Sequence, residues 1–150
     1  MIGKAAMAGT IVLDTSVLIK WIKSRDEELI REARYLLERI EKKSLQVVVP
    51  ALLLYEIGNI LLLKTRLDPE GLAVALDQVR ALPFTVVGPE AELLRRTARL
   101  GRELNLTFYD ASFVALAEQL DCTFVTADQK LHDRVRQLPR VQHLSALADV

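Results

Sequence analysis

With Cys122 as its only cysteine, the chain has no intramolecular disulfide and no all-cysteine metal site. Its six glycines form no phosphate-cradling loop of the Walker type, which argues against an ATPase, and no Gly-x-Ser-x-Gly nucleophile elbow. Histidine is nearly as scarce: His132 lies in a charged helical pattern and His143 near the terminus, so both read as surface or packing residues and zinc is disfavoured. Twenty basic residues balance twenty acidic ones, so no net positive field draws in nucleic acid. Phosphate binding would have to be local, through a metal ion or a basic patch. Long hydrophobic runs are missing too. The first apolar stretch is cut by Asp14, too early for a secretory core and too short to span a bilayer. The expectation is a cytoplasmic protein with no membrane partner.

What the chain does have is core-forming material: 51% of its 150 residues are hydrophobic. That length suits one compact domain burying about two-thirds of its unfolded surface. Short apolar, largely β-branched runs predict strands at 10–13, 46–49, 84–87 and 123–126, with a weaker one at 141–144. Helical patterns lie between them. Thr15 to Ser24 follows the first strand, and 26–43 carries an amphipathic stripe through Leu29, Ile30, Ala33, Leu36, Leu37 and Ile40. Pro50 suits the first turn of a helix over 50–64, and Asp68-Pro69-Glu70 opens another in the same way. Further helices are expected over 89–104, 109–120 and 128–136. Strands alternating with helices predict an α/β fold with a mainly parallel central sheet. No repeat or linker divides it, so residues 1–150 read as one domain.

In open parallel sheets, ligands collect beyond the carboxyl ends of the strands. Asp14 closes the first strand and Asp128 follows Phe124-Val125-Thr126; Asp110 stands near the start of a helix. Each has a plainer reading as a cap, with Thr107-x-x-Asp110 close to a capping box. Glu56 does not. It sits mid-helix in Leu52-Leu53-Leu54-Tyr55-Glu56-Ile57, where no orphan donor needs capping and no lysine or arginine lies within a turn. A helix apolar on nearly all sides is expected to be buried, and an ionised carboxylate there is costly unless paired or bound to metal. Asn59, three residues on, falls on the same face and could support a water or ligand. Exposure of Glu56 at a surface rim is the alternative.

Four carboxylates sharing one pocket could not all stay ionised unaided. A hard divalent cation with oxygen ligands, magnesium or manganese, resolves this. Such an ion can activate water for in-line attack on a phosphodiester, and it cancels the field that would repel phosphate.

These acids and their neighbours resemble the PIN-domain family, in particular the small VapC-type toxins of toxin–antitoxin pairs. The likeness runs from about Ile11 to His143. It is carried by Ile11-Val12-Leu13-Asp14-Thr15-Ser16-Val17-Leu18, by the Glu56 helix, by Leu106-Thr107-Phe108-Tyr109-Asp110-Ala111 and by Phe124-Val125-Thr126-Ala127-Asp128. The resemblance implies a three-layer α/β/α sandwich and a magnesium- or manganese-dependent endoribonuclease. It implies that Asp14, Glu56, Asp110 and Asp128 form the catalytic, metal-holding cluster, with Ser16 and Thr126 as hydroxyls that steady the acids or their water. RNA as substrate, a homodimer and a cognate antitoxin whose C-terminal segment blocks the site follow from the same likeness. Asp133 reads equally as an additional distal acid and as part of an exposed face of the last helix. Residues 1–9 depart from the pattern and read as a short extension.

Arg95, Arg99 and Arg102 make a basic stripe at helical spacing, read either as an RNA or acidic-partner contact or as a solvated face with pairs such as Glu92–Arg96 and Arg99–Glu103. Lys20, Lys23 and Arg25 end the first helix, where cations suit its dipole or a substrate phosphate. The leucine-rich 52–63 stretch reads equally as core and as an interface. A catalytically silent PIN-like protein- or RNA-binding module is the main alternative function. A signalling receiver is a poor match: it wants two acids after the first strand and a lysine after the last. A phosphatase using Asp14 as nucleophile would want an acid at position 16, where serine stands.

Overall fold

A computed structural model describes residues 9–23 and 27–147. The chain runs β1 (Gly9–Leu13), α1 (Thr15–Ile22), α2 (Ile30–Glu41), β2 (Leu45–Pro50), α3 (Leu52–Lys64) and α4 (Pro69–Arg80). It continues through β3 (Thr85–Val87), α5 (Ala91–Leu104), α6 (Phe108–Leu120), β4 (Thr123–Thr126), α7 (Gln129–Val135) and β5 (Val141–His143). A single 3-10 turn, Leu144–Leu147, closes the described residues. The five strands form one sheet in the order β3-β2-β1-β4-β5, and every pairing is parallel. The expected three-layer α/β/α sandwich is what forms.

Consecutive burial along the central strands shows that both sheet faces are covered. Ile11, Val12 and Leu13 are all buried, as is every residue of β4. A strand facing water on one side would alternate instead. α6 packs against β1, β2 and β4, α1 against β4 and α2 against β2, so the core lies on either side of β1. Its bulk comes from Phe113, Phe124, Leu18, Leu36, Leu53 and Ile57.

β1 sits in the middle. The chain leaves it for β2 and β3 on one side, then crosses back to lay β4 and β5 on the other. The direction of winding therefore reverses between β1 and β4, and a crevice opens past their carboxyl ends. Asp14 directly follows β1, and Asp128 lies two residues past β4.

Several boundaries differ from the sequence expectation. Pro50 ends β2, in register with Val87, rather than opening α3. Lacking an N–H, proline is tolerated at the strand's last position, and the next donor, Ala51 N, bonds to Val87 O at 2.9 Å. α2 begins at Ile30, not Asp26, after Leu29 in a left-handed conformation (φ 56°); Ser24, Arg25 and Asp26 lie outside the described residues. So do residues 1–8 of the expected extension, while Gly9 belongs to β1.

α3 is not buried on all sides. Leu53, Ile57 and Leu61, spaced four apart, form its single buried stripe, whereas Tyr55, Leu62 and Leu63 face outward. The helix is amphipathic in placement but not in composition, because nearly every position is apolar. α4 follows the expectation: Pro69 occupies its first turn, and Asp68 Oδ1 accepts from Gly71 N at 2.8 Å. No helix among the described residues is long and apolar enough to cross a membrane. Cys122 is free and half-buried, and burial pushes its thiol up to about 11.

Candidate active site

Asp14 is buried, at 6% exposure, although it is the residue before α1 and would be expected to cap it. Its side chain makes no cap hydrogen bond. Oδ2 instead accepts from Ser16 Oγ at 2.6 Å and from Thr126 Oγ1 at 2.8 Å. These two hydroxyls are themselves tied to the β4–α7 turn: Ala127 N donates to Ser16 Oγ at 2.9 Å and Asp128 N donates to Thr126 Oγ1 at 3.0 Å. The carboxylate after β1 and the turn after β4 are thus one hydrogen-bonded unit. Ser16 and Thr126, expected as steadying hydroxyls, both donate to Asp14.

Glu56 comes from α3, half-buried, and finds a hydroxyl rather than a cation: Thr15 Oγ1 donates to its Oε1 at 2.9 Å. Sequence reasoning missed Thr15. The only signal was its place beside Asp14, and its partner lies 41 residues away. Asp110 lies in the first turn of α6, whose N-cap Thr107 accepts from Asp110 N at 3.1 Å. The cap here is therefore Thr107, and the Asp110 carboxylate is free for another task. Asp128 does cap: its Oδ1 accepts from Leu131 N at 3.1 Å. Its plainer role is real and leaves the second oxygen over.

The four acids feel one another. Burial is the main reason that Asp14 titrates above the usual carboxylate range, with Asp110 and Asp128 adding to the effect and the two hydroxyls opposing it. Burial likewise raises Glu56, helped by Asp14 and Asp110 and opposed by Thr15. Asp110 is raised by burial and by Asp128, opposed by the Thr107 hydroxyl and by Arg134. Asp14 and Asp110 each influence, or are influenced by, all the others.

The donor set fits a hard divalent cation. It offers carboxylate oxygens only, and among the described residues Arg134 is the one cation that bears on any of the three raised acids. Asp14 Oδ1 and Glu56 Oε2 make no hydrogen bond among the described residues. The acids nevertheless do not close by themselves: among the described residues no three Asp, Glu, His or Cys side chains form a group tight enough to hold an ion.

Other sequence candidates fall outside the cluster. Asn59 is exposed and bonds to none of the four acids. Asp133 accepts from Gln129 Nε2 at 2.8 Å on the exposed side of α7. Of the basic stripe, Arg95 pairs with Glu92 and Arg99 with Glu103 and Glu118, while the neighbouring Arg96 bridges Glu92 and Glu118. Exposed pairs of this kind make a solvated face. Lys20 is buried against Glu27 at 2.9 Å, so its charge is already spent. His132 and His143 stack edge to face, with ring centroids 5.4 Å apart.

The profile of the PIN domain matches residues 11–137. This chain belongs to the PIN-domain family. The PIN domain is 66% identical over 29 residues to VapC ribonuclease Mb0985 of Mycobacterium bovis and to Ribonuclease VapC9 of Mycobacterium tuberculosis. That stretch is 19% of this chain and spans only 23% of those relatives' length. Its backbone resembles a toxin–antitoxin complex from Klebsiella pneumoniae (TM-score 0.67, 18% identity, 89% of this chain and 97% of that one). It also resembles PAE2754 from Pyrobaculum aerophilum (TM-score 0.65, 27% identity, 97% and 99% covered). VapC20 of Mycobacterium tuberculosis, a sarcin-ricin loop cleaving toxin, superposes with a TM-score of 0.60 at 17% identity, with 82% and 93% covered. These likenesses establish the PIN fold.

Proposed function

We propose that this PIN-domain protein is a magnesium- or manganese-dependent endoribonuclease and the toxin of a toxin–antitoxin pair. The observation that supports the reading is that Asp14, just past β1, is raised by Asp110 and by Asp128, which lies just past β4, while Asp14 and Asp110 in turn raise Glu56. A divalent ion bound there supplies an activated water for in-line attack on a phosphodiester. The chain's own part is positional. Ser16 and Thr126 fix Asp14, Thr15 holds Glu56, the Thr107 cap leaves the Asp110 carboxylate uncommitted, and the α7 cap holds one oxygen of Asp128. The four acids act as ligands, with no serine or cysteine nucleophile. Short-range kinship to VapC ribonucleases supports RNA as the substrate.

Two exposed apolar grooves support the partners, a second copy of the chain and an antitoxin. One, of about 430 Å³, is lined by Tyr55, Leu93, Leu94, Phe108 and Tyr109. The other lies between α1, α3 and α4 and includes Ile22, Leu61, Leu67 and Val74. Exposed apolar surface of this kind marks sites where partners dock, and the second groove adds Lys23, Arg66, Asp68 and Glu70 to its apolar lining.

The test is a manganese titration followed by thermal melting of the parent, Asp14→Asn and Asp110→Asn, then cleavage of a structured RNA. Binding to the native state raises the melting temperature with ion concentration. A rise lost in both variants, together with metal-dependent cleavage, supports the nuclease. No rise in the parent turns the reading to a silent PIN-like binding module.

A further inference from the structure

We infer that Thr15 is a positioning residue that presents Glu56 for metal binding, an inference that rests on the metal-dependent reading above. Thr15 is the first residue of α1 and is buried, at 6% exposure. Its Oγ1 donates to Glu56 Oε1 at 2.9 Å, the one hydrogen bond that the glutamate side chain makes among the described residues. Among the described residues no salt bridge joins a lysine or arginine to Glu56.

The pairing suits that task. A free glutamate side chain loses rotamer freedom when it is fixed, so a partner that already holds it lowers the cost of binding an ion. Threonine is β-branched and stiff at χ1, so a buried Thr15 offers its hydroxyl from a fixed point. A hydroxyl has one hydrogen to donate, and here Glu56 takes it. Oε1 is thereby anchored, and Oε2 makes no hydrogen bond among the described residues. Asp14 precedes Thr15 in the chain, so the same few backbone atoms carry one acid and hold another. Ser16 and Thr126 cannot substitute, because both hydroxyls are committed to Asp14. Valine has the shape of threonine without the donor; serine keeps the donor without the methyl.

The test uses the full chain and two readouts. In manganese binding followed by calorimetry, Thr15→Val should weaken affinity about tenfold, the scale of one hydrogen bond to a charged group. Thr15→Ser should stay within about twofold of the parent, and Thr15→Val should change nothing further in a Glu56→Ala background. In metal-free urea unfolding, Thr15→Val should alter the unfolding constant in the parent and not in Glu56→Ala. If the parent binds manganese and Thr15→Val binds it equally well, the positioning role is overturned and the metal site stands. If the parent binds none, the metal reading fails instead. The unfolding cycle then decides Thr15 alone: coupling to Glu56 supports its hold on that side chain, and additivity overturns it.

Discussion

Thr126 Oγ1 lies 2.8 Å from Asp14 Oδ2, a single buried hydrogen bond that joins the residue after β1 to the end of β4. The strands are neighbours in the sheet and 112 residues apart in sequence at this contact. Thr126 also accepts from Asp128 N, so one hydroxyl orders two of the four acids.

Thr126→Val should therefore cost more than a surface change. It strips a donor from a buried carboxylate and an acceptor from Asp128 N, a loss of about 1–3 kcal/mol by the cost of unsatisfied buried groups. Urea denaturation measures it. A midpoint equal to the parent's would mean that the hydroxyl is dispensable to the fold.

Metal-free stability should fall as pH rises. Asp14, Glu56 and Asp110 titrate above the usual carboxylate range in the folded chain, chiefly through burial, so the folded state holds protons more tightly than the unfolded one. Their contribution to stability is complete below the ordinary carboxylate range and is lost as pH climbs through the raised values. Melting in the presence of a chelator should thus occur at higher temperature near about pH 5 than near about pH 8, and Asp110→Asn should flatten the slope. An unchanged slope in that variant would remove Asp110 from the coupled group.

Asp128 has two tasks that substitution can separate. Asparagine keeps an oxygen for Leu131 N, so Asp128→Asn should melt close to the parent, whereas Asp128→Ala should lose about 1 kcal/mol with the cap. Both should abolish metal-dependent RNA cleavage. Retention of cleavage by Asp128→Asn would leave Asp128 as a cap and nothing more.

Leu94 lines the aromatic groove and is itself exposed. Leu94→Glu should change the melting temperature little, within about 0.5 kcal/mol for a surface site. If the groove joins two copies, sedimentation should show the parent as a dimer and this variant as a monomer. A variant that remains dimeric would move the interface elsewhere.

Much of the fold was legible because its signals are local. The strands announce themselves as β-branched runs, and Asp68-Pro69 marks the start of α4 with a cap and a proline. Pro50 misled because proline suits the first turn of a helix and the last residue of a strand alike, and only pairing with β3 chooses between them. α3 misled for a different reason. With apolar residues all round, its sequence has no face to read, and contact with its neighbours alone selects Leu53, Ile57 and Leu61 for the core.

The candidate site divides in the same way. Asp14, Glu56, Asp110 and Asp128 stood out in the sequence because each sits at or near the start of a helix that follows a strand or loop, or interrupts an apolar run. Their residue types supply carboxylate oxygens, with no thiol and no imidazole among them, and that is the chemistry proposed for the site. Which of them cap and which are free was a tertiary outcome. Asp14 gave up its cap for Ser16 and Thr126, Thr107 took over the cap before Asp110, and Asp128 kept its own. Thr15 became the partner of Glu56 for the same physical reason: a hydroxyl bonds to whatever acceptor packing brings within about 3 Å, and packing is set by the whole core rather than by neighbours in the chain.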